Sequence, residues 1–397
     1  MLLGLADSPV FTHLCSMKWT RPPRQLHRWA VAAFFFASGL TFASWASRIP
    51  EVQAIHHLSN GALGGVLFAL PAGSLISLPL WGWMIAKYGS KTMLLSGITF
   101  YVLLLLLISG AGSIGQLWVI LFLFGMIGNL CNIAVNTQAV GVEKLYGRSI
   151  MAGFHAIWSL AGFSGAALGN LLIAFNATLF SHFLIIGILA TLLVIVANTR
   201  LIQGDAQTQS SAFMVRPNKE LWLLGLIAFC CMACEGAMFD WSGVYFQKVV
   251  NAPRELVALG YTAFMSTMAG GRFLGDWIIT RLGKRPVLQA SGLLIFSGLL
   301  LAVLFPYLLF AILGFMLVGL GVSSVIPVVY SAAGNSKNLA PSVALATVSS
   351  IGFIGFLIGP PIIGFIAEIL SLRWSFTFIA ILGLGTTLLS AKMDANK

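Results

Sequence analysis

Apolar runs of about twenty residues or more, parted by short polar punctuation, fill almost the whole chain. They cover 29–47, 62–86, 92–112, 116–141, 151–175, 179–199, 221–247, 256–280, 286–305, 307–333, 342–368 and 373–392. A hydrocarbon core about 30 Å thick needs roughly 20 apolar residues per helix. Lipid offers no partner for backbone N–H and C=O groups, so runs of this length are predicted to be helical. The pattern therefore predicts an all-α membrane protein of twelve transmembrane helices. Between 200 and 220 it breaks for longer: Gly204, Asp205, Gln207, Thr208, Gln209, Ser210, Ser211 and Pro217 read as a linker. The expected organisation is an N-terminal segment 1–28, a six-helix bundle 29–199, the linker 200–220, a second six-helix bundle 221–392 and a tail 393–397.

Composition agrees with lipid as the solvent. Of 397 residues, 58% are hydrophobic and 8% charged, too few charges for a water-facing shell. The formal net charge of +11 is a topology signal. With the N-terminus placed inside, 17 Lys/Arg fall on inside segments, from Lys18, Arg21, Arg24 and Arg28 to Lys392 and Lys397. Four fall outside (Arg48, Lys248, Arg254 and Arg373), and Arg272 lies within a span. That asymmetry follows the positive-inside rule. It puts both termini in the cytoplasm of a multi-pass protein of a bacterial inner (plasma) membrane, and it makes nucleic acid an unneeded partner. Residues 1–16 lack a basic region ahead of their apolar part, so no cleavable signal is expected, and Met17-Lys18 reads as an alternative start. Cys231 and Cys234 have CxxC spacing but no second pair, so Cys131, Cys230, Cys231 and Cys234 read as small packing residues.

The two halves echo each other. Ala62-Leu63-Gly64 opens the second span and Ala258-Leu259-Gly260 the eighth; Trp45 and Trp241 match in depth. The second span runs out into Gly82-Trp83-Met84-Ile85-Ala86-Lys87-Tyr88-Gly89-Ser90-Lys91. The eighth runs out into Asp276-Trp277-Ile278-Ile279-Thr280-Arg281-Leu282-Gly283-Lys284-Arg285. Duplicated bundles rocking about a midplane site are the architecture of alternating-access transporters.

This loop, Gly-x-x-x-x-basic-x-Gly-x-basic after the second span and repeated from its first basic residue onward after the eighth, resembles the signature of the major facilitator superfamily, over residues 29–392. More narrowly, Ala43-Ser44-Trp45-Ala46-Ser47-Arg48, Gly64-Gly65-Val66-Leu67-Phe68, His155, Ser159-Leu160, Glu235-Gly236, Asp240-Trp241, Gly271-Arg272-Phe273 and Gly359-Pro360-Pro361 resemble its YbjJ-like bacterial branch. The resemblance implies gating roles for Gly82, Lys87, Gly89, Lys91 and Arg281. The Asp usual in this loop is Ala86 in one copy and Thr280 in the other, so the inside latch that the family builds on it is in doubt here.

Ionisable groups at bilayer depth are costly and mark function by default. Glu235 lies mid-span in the seventh helix, and Cys231, Glu235 and Ser242 share a face. A carboxyl there is a candidate to bind and release a proton, or to hydrogen-bond a neighbouring helix. Asp240, nearer the outer end, reads as a further coupling group, as a partner for Arg48 at an outer gate, or as a solvated helix end. Arg272 and Asp276, at i and i+4, suggest an intrahelical gating pair. Asn129, Asn132 and Asn136 share a face of the fourth span; they suit a hydroxyl- or amide-bearing solute, or hold helices together. Ser38, Thr41, Trp45 and Arg48 form a polar stripe, with Trp45 and Trp241 either stacking on solute or belonging to an aromatic belt. His155 and Trp158 are candidates for solute contact, with His155 also a proton relay. Tyr330 and Ser350 are lesser lining candidates.

No hydrolase elbow, P-loop, HExxH or dinucleotide glycine motif appears, so neither an enzyme, a cofactor nor a metal site is expected, and ATP is excluded as the driving force. A sodium site lacks an obvious cage of hard oxygens. The sequence points to a monomeric secondary transporter of a small polar solute, coupled to protons. Its rivals are an efflux antiporter for amphiphilic compounds and a non-transporting membrane sensor, which would need a longer soluble tail. A reporter fused after Lys397 is expected to behave as cytoplasmic; periplasmic activity there would reject the topology.

Overall fold

The computed structural model describes residues 24–147, 150–203, 218–334 and 341–393, and among these the chain forms helices and no strands. Spans 1–6 are Arg24–Ile55, Asn60–Leu67 continued by Ala69–Tyr88, Ser90–Ile108, Ile114–Tyr146, Met151–Ala174 and Leu179–Ala197. Spans 7–12 are Lys219–Lys248, Leu259–Leu282, Lys284–Leu304, Leu308–Gly334, Pro341–Ile369 and Leu372–Ser390. Eleven are long and apolar enough to cross a membrane. Span 8 is the twelfth helix; Arg272, Asp276 and Arg281 dilute its apolar character. The segment 1–23, most of the expected linker (204–217) and the tail 394–397 lie outside the described residues.

Local chemistry sets the boundaries. Ser59, Ser113, Thr178 and Asn218 sit at helix N-caps and accept from the backbone N–H groups of Ala62, Gln116, Ser181 and Leu221. Each satisfies one of the backbone donors that a helix start leaves without an intrahelical partner. Span 2 breaks at Phe68, where Pro71 has no N–H to return to Leu67. The repeated loop has a backbone reason for its glycine. Gly89 (φ 81°, ψ 148°) and Gly283 (φ 84°, ψ 163°) each separate two helices by a single non-helical residue. Side chains with a Cβ rarely adopt that conformation.

Within the first half, span 1 packs on spans 5 and 6, and span 4 on spans 2 and 3; within the second, span 7 packs on spans 11 and 12, and span 10 on spans 8 and 9. The two six-helix bundles meet through spans 1 and 7, 2 and 11, and 5 and 8. Between lipid-embedded helices, close backbone approach replaces hydrophobic driving force, so small residues sit at the contacts. Gly73 lies against the Phe122 carbonyl and Gly125 against the Leu70 carbonyl, which locks span 2 to span 4. Gly64 and Gly364 meet across the bundle seam.

Alternation of direction sorts the loops onto two faces. One, the basic face, carries Lys87, Lys91, Arg200, Arg281, Lys284 and Arg285. There Lys87 lies over Trp83 (4.9 Å) and Arg281 over Trp277 (4.4 Å), each on a ring of its own helix. The opposite face carries Glu51, Asn60, Asn176, Lys248, Arg254 and Glu368.

The packing predicts a contrast between two glycines. Gly125→Ala would drive a methyl into the Leu70 carbonyl and should cost about 1–3 kcal/mol as overpacking. Gly82→Ala meets open space, so its melting temperature in detergent should match wild type. Equal melting of the two variants would contradict this packing.

Candidate functional site

A cavity of about 210 Å³ lies at mid-depth, almost wholly within the first bundle. Span 1 lines it with Phe35, Ser38 and Phe42, span 2 with Leu70 and Ser74, and span 3 with Tyr101. Span 4 contributes Phe124, Gly125, Gly128, Asn129, Asn132 and Val135, span 5 Trp158, and the second bundle Phe353. Gly128 leaves room beside the ring of Tyr101, which stacks on Phe124 with centroids 4.2 Å apart. Asn129 donates to the Ser74 carbonyl (2.9 Å), and Asn136 donates to Asn132 Oδ1 (3.0 Å). Two of the three aligned asparagines therefore reach the cavity, and Asn136 braces one of them from outside its lining.

An aromatic layer closes the cavity toward the second bundle. Phe239 of span 7 contacts Phe42 (5.5 Å), Trp158 (6.1 Å), Phe264 (5.8 Å) and Phe356 (6.2 Å). One turn earlier on span 7, Glu235 is 5% exposed. Arg272 of span 8 meets it, Nη2 to Oε1 at 3.3 Å, and through Nη1 donates to Ser159 Oγ of span 5 at 2.6 Å. Arg272 thus ties the coupling carboxylate candidate to the other bundle. The sequence suggested Asp276 as its partner, a local i,i+4 choice. The structure gives it partners on two other helices, and the Asp276 side chain lies outside what is described.

The half of the seam toward the opposite face is shut. Gly61 N–H donates to Glu368 (3.0 Å), Lys248 to Asn60 Oδ1 (2.9 Å), and Arg254 approaches Glu51 (3.9 Å) and Asn176 (3.4 Å). Each of these contacts joins one bundle to the other. Arg48 was expected outside, beyond the end of span 1. The helix instead continues to Ile55 and Arg48 is fully buried. Its guanidinium pairs with Glu51 and donates to His182 Nδ1 (2.9 Å) and to the Ala177 carbonyl (2.9 Å), so it needs no water. These contacts stand in place of an Arg48–Asp240 pair, one of the readings the sequence left open for Asp240. Asp240 is half-buried with no hydrogen bond or ion pair among the described residues.

The remaining candidates fall in different places. Trp45 and Trp241 are fully buried, their indole N–H groups unpartnered, and neither lines the cavity in this conformation. Trp158 supplies the indole face that was sought from them. His155 is exposed, edge-on to Phe35 at 5.6 Å and off the lining. Tyr330 hydrogen-bonds Ser349, and Ser350 is exposed on span 11. Sequence reasoning missed Tyr101, His182, Glu51 and Phe239. Only tertiary packing distinguishes Tyr101 and Phe239 from other aromatics.

The duplicated bundles, the mid-depth cavity and the single-residue glycine loops agree with the comparisons. The family model of the Major Facilitator Superfamily matches residues 29–343. The chain belongs to the major facilitator superfamily. It is 33% identical to an uncharacterized MFS-type transporter of Yersinia pestis, over 88% of this chain and 91% of that one. It is 34% identical to an uncharacterized transporter of Sinorhizobium fredii (90% and 96% covered) and 30% identical to the membrane protein MosC of Rhizobium meliloti (95% and 93%). In fold it is similar to the nucleoside transporter NupG (TM-score 0.72, 13% identity, 93% of this chain and 100% of that one). It is also similar to a bacterial homologue of the human lysosomal transporter Spinster, inward-facing and occupied (TM-score 0.74, 13% identity, 95% and 98%). As a superfamily member, the chain is a multi-pass secondary transporter.

Breaking a buried ion pair by removing one partner strands the other charge, at roughly 3–5 kcal/mol. Arg272→Met is expected to be destabilised on that scale, and Glu235→Gln/Arg272→Met to recover most of the loss. Thermal melting of the three variants tests this. A double variant no more stable than Arg272→Met would deny that Glu235 is ionised and held by Arg272.

Proposed function

We propose that the protein is a proton-coupled secondary transporter that moves a small polar solute across a bacterial inner membrane. The observation that carries this reading is the position of Arg272 between Glu235 and Ser159. While Glu235 is ionised, Arg272 is held by its charge and bridges span 8 to span 5. A proton arriving on Glu235 removes that charge and weakens the hold. Proton occupancy and bundle separation are then linked through one guanidinium, and a ligand or ion shifts such an equilibrium only by its different affinity for the two states. Trp158 lines the cavity, and its neighbour Ser159 accepts from Arg272, so solute seated on the ring sits one residue from the switch.

The charge asymmetry supports a cytoplasmic basic face and cytoplasmic termini. On that orientation the seam is closed outside by Glu368, Lys248 and Arg254 with their partners, and the conformation faces inward. The outward-facing state requires these contacts to open and the basic-face ends to approach. Lys87, Lys91 and Arg281 then tune this equilibrium, with Gly82 and Gly89 permitting the helix ends to move, and without touching solute. Asp240 and His155 are secondary candidates on the proton path. The protein acts as a monomer in this reading, since one chain holds both bundles and the cavity.

Glu235→Gln keeps the shape and hydrogen bonding of the protonated acid. It should abolish gradient-driven accumulation in proteoliposomes while solute binding and counterflow persist. Accumulation at the wild-type level by Glu235→Gln would remove Glu235 from the coupling role.

A further inference from the structure

We infer that the cavity selects an uncharged, hydroxyl-bearing ring: a cyclic polyol, a neutral monosaccharide or a nucleoside. The inference rests on the reading of this chain as a solute transporter and deepens it. It begins with what the cavity lacks. Among the described residues, no Asp, Glu, Lys, Arg or His lines it. The nearest central charges, Glu235 and Arg272, already face each other, and Phe239 and Trp158 stand at the boundary between the bundles. A charged solute would enter without a counter-ion and lose its water, which a low-dielectric site does not repay.

What the cavity offers is complementary to hydroxyl groups. Ser38 is 9% exposed and its Oγ has no partner. The Tyr101 hydroxyl is likewise without one among the described residues. Asn129 spends its amide nitrogen on Ser74, which leaves Oδ1 as an acceptor. Asn132 spends Oδ1 on Asn136, which leaves its amide nitrogen as a donor. Donors and acceptors are thus mixed, as they are on a hydroxylated ring, where each hydroxyl does both. An apolar solute would leave Ser38 and both amides unsatisfied, and that costs binding free energy.

Shape narrows the class further. Phe42 and Trp158 present flat apolar faces, with ring centroids 6.2 Å apart, that suit the C–H face of a sugar or the plane of a base. The volume, about 210 Å³, falls below the roughly 300–1,000 Å³ typical of sites for drug-sized ligands. This argues against a bulky amphiphile and for a solute no larger than one hydroxylated ring with a base attached.

The test is a thermal-shift titration of the purified full-length protein with matched probes: glucose, glucuronate and glucosamine; uridine and uridine 5′-monophosphate; and myo-inositol. A bound ligand raises the melting temperature by mass action. At least one neutral member is expected to do so, with its charged counterparts at least about tenfold weaker. Asn132→Leu should remove the shift. Asn132→Asp, nearly isosteric, should move the preference to glucosamine. A charged probe binding as tightly as its neutral partner to the wild type would overturn the inference. So would the absence of a shift with every neutral probe, or an unchanged preference in Asn132→Asp. The two readings fail separately. Wild-type accumulation by Glu235→Gln with neutral selectivity intact removes only the coupling role; lost selectivity with Glu235-dependent transport removes only this inference.

Discussion

Nothing in a bilayer core hydrates a charge, and the rest of this molecule is arranged around that constraint. Arg48 and Arg272 both lie in apolar helices, and both find acceptors on other elements, Arg48 together with Glu51 of its own helix. Arg48 is fully enclosed by Glu51, His182 and the Ala177 carbonyl. Arg272 is shared between Glu235 and Ser159. The difference between them is one of membership. The direct partners of Arg48 belong to its own bundle, so its contacts tie span 1 to span 6, while Glu51 also faces Arg254 across the seam. The partners of Arg272 belong to both bundles, so its network changes whenever the bundles move. The same cost that forbids a free charge in lipid therefore makes the first arginine structural and the second a component that conformational change must address.

The aromatic layer about Phe239 gives that seam its second property. Phe239 touches rings from spans 1, 5, 8 and 11, so it occupies the meeting point of the bundles between cavity and opposite face. Rings hold such a place without demanding hydrogen bonds and slide over one another at small cost. A polar plug would have to be satisfied in both conformations. The ionic contacts near the opposite face, at Glu368, Lys248 and Arg254, stand where water can reach them, so breaking them exposes no charge to lipid.

How much of this was legible in the sequence depends on the range of the cause. Span number and position were legible because each apolar run answers to the bilayer alone, and the loop glycines because their conformation is set within two residues. Glu235 stood out because any mid-span carboxyl does. Its partner did not. Sequence offers Asp276, whose side chain lies outside what is described, as the local neighbour of Arg272, whereas the partners found among the described residues come from helices 37 and 113 residues away. Arg48 was read as a helix end because it closes an apolar run, and the acceptors that allow the helix to continue to Ile55 come largely from span 6 and the loop before it. The symmetric pair Trp45 and Trp241 drew attention as a repeat, yet repetition reflects the fold they share. Trp158 has no counterpart in that pair and lines the cavity.

This contrast bears on how the two halves divide their work. The duplication has preserved what both bundles need to fold, namely the loop glycines Gly89 and Gly283 and the buried tryptophans. It has not preserved polar content. Ser38, Tyr101, Asn129 and Asn132 all belong to the first bundle, whereas Glu235 and Arg272 belong to the second. A solute site and an ion-pair switch built on one set of helices would interfere, since a charge close to the solute biases selectivity and a tightly held solute restrains the switch. On the proposed reading, placing them on separate bundles lets them communicate where Trp158 and Ser159 adjoin, leaving the cavity neutral and the carboxyl free to change its charge without a solute beside it.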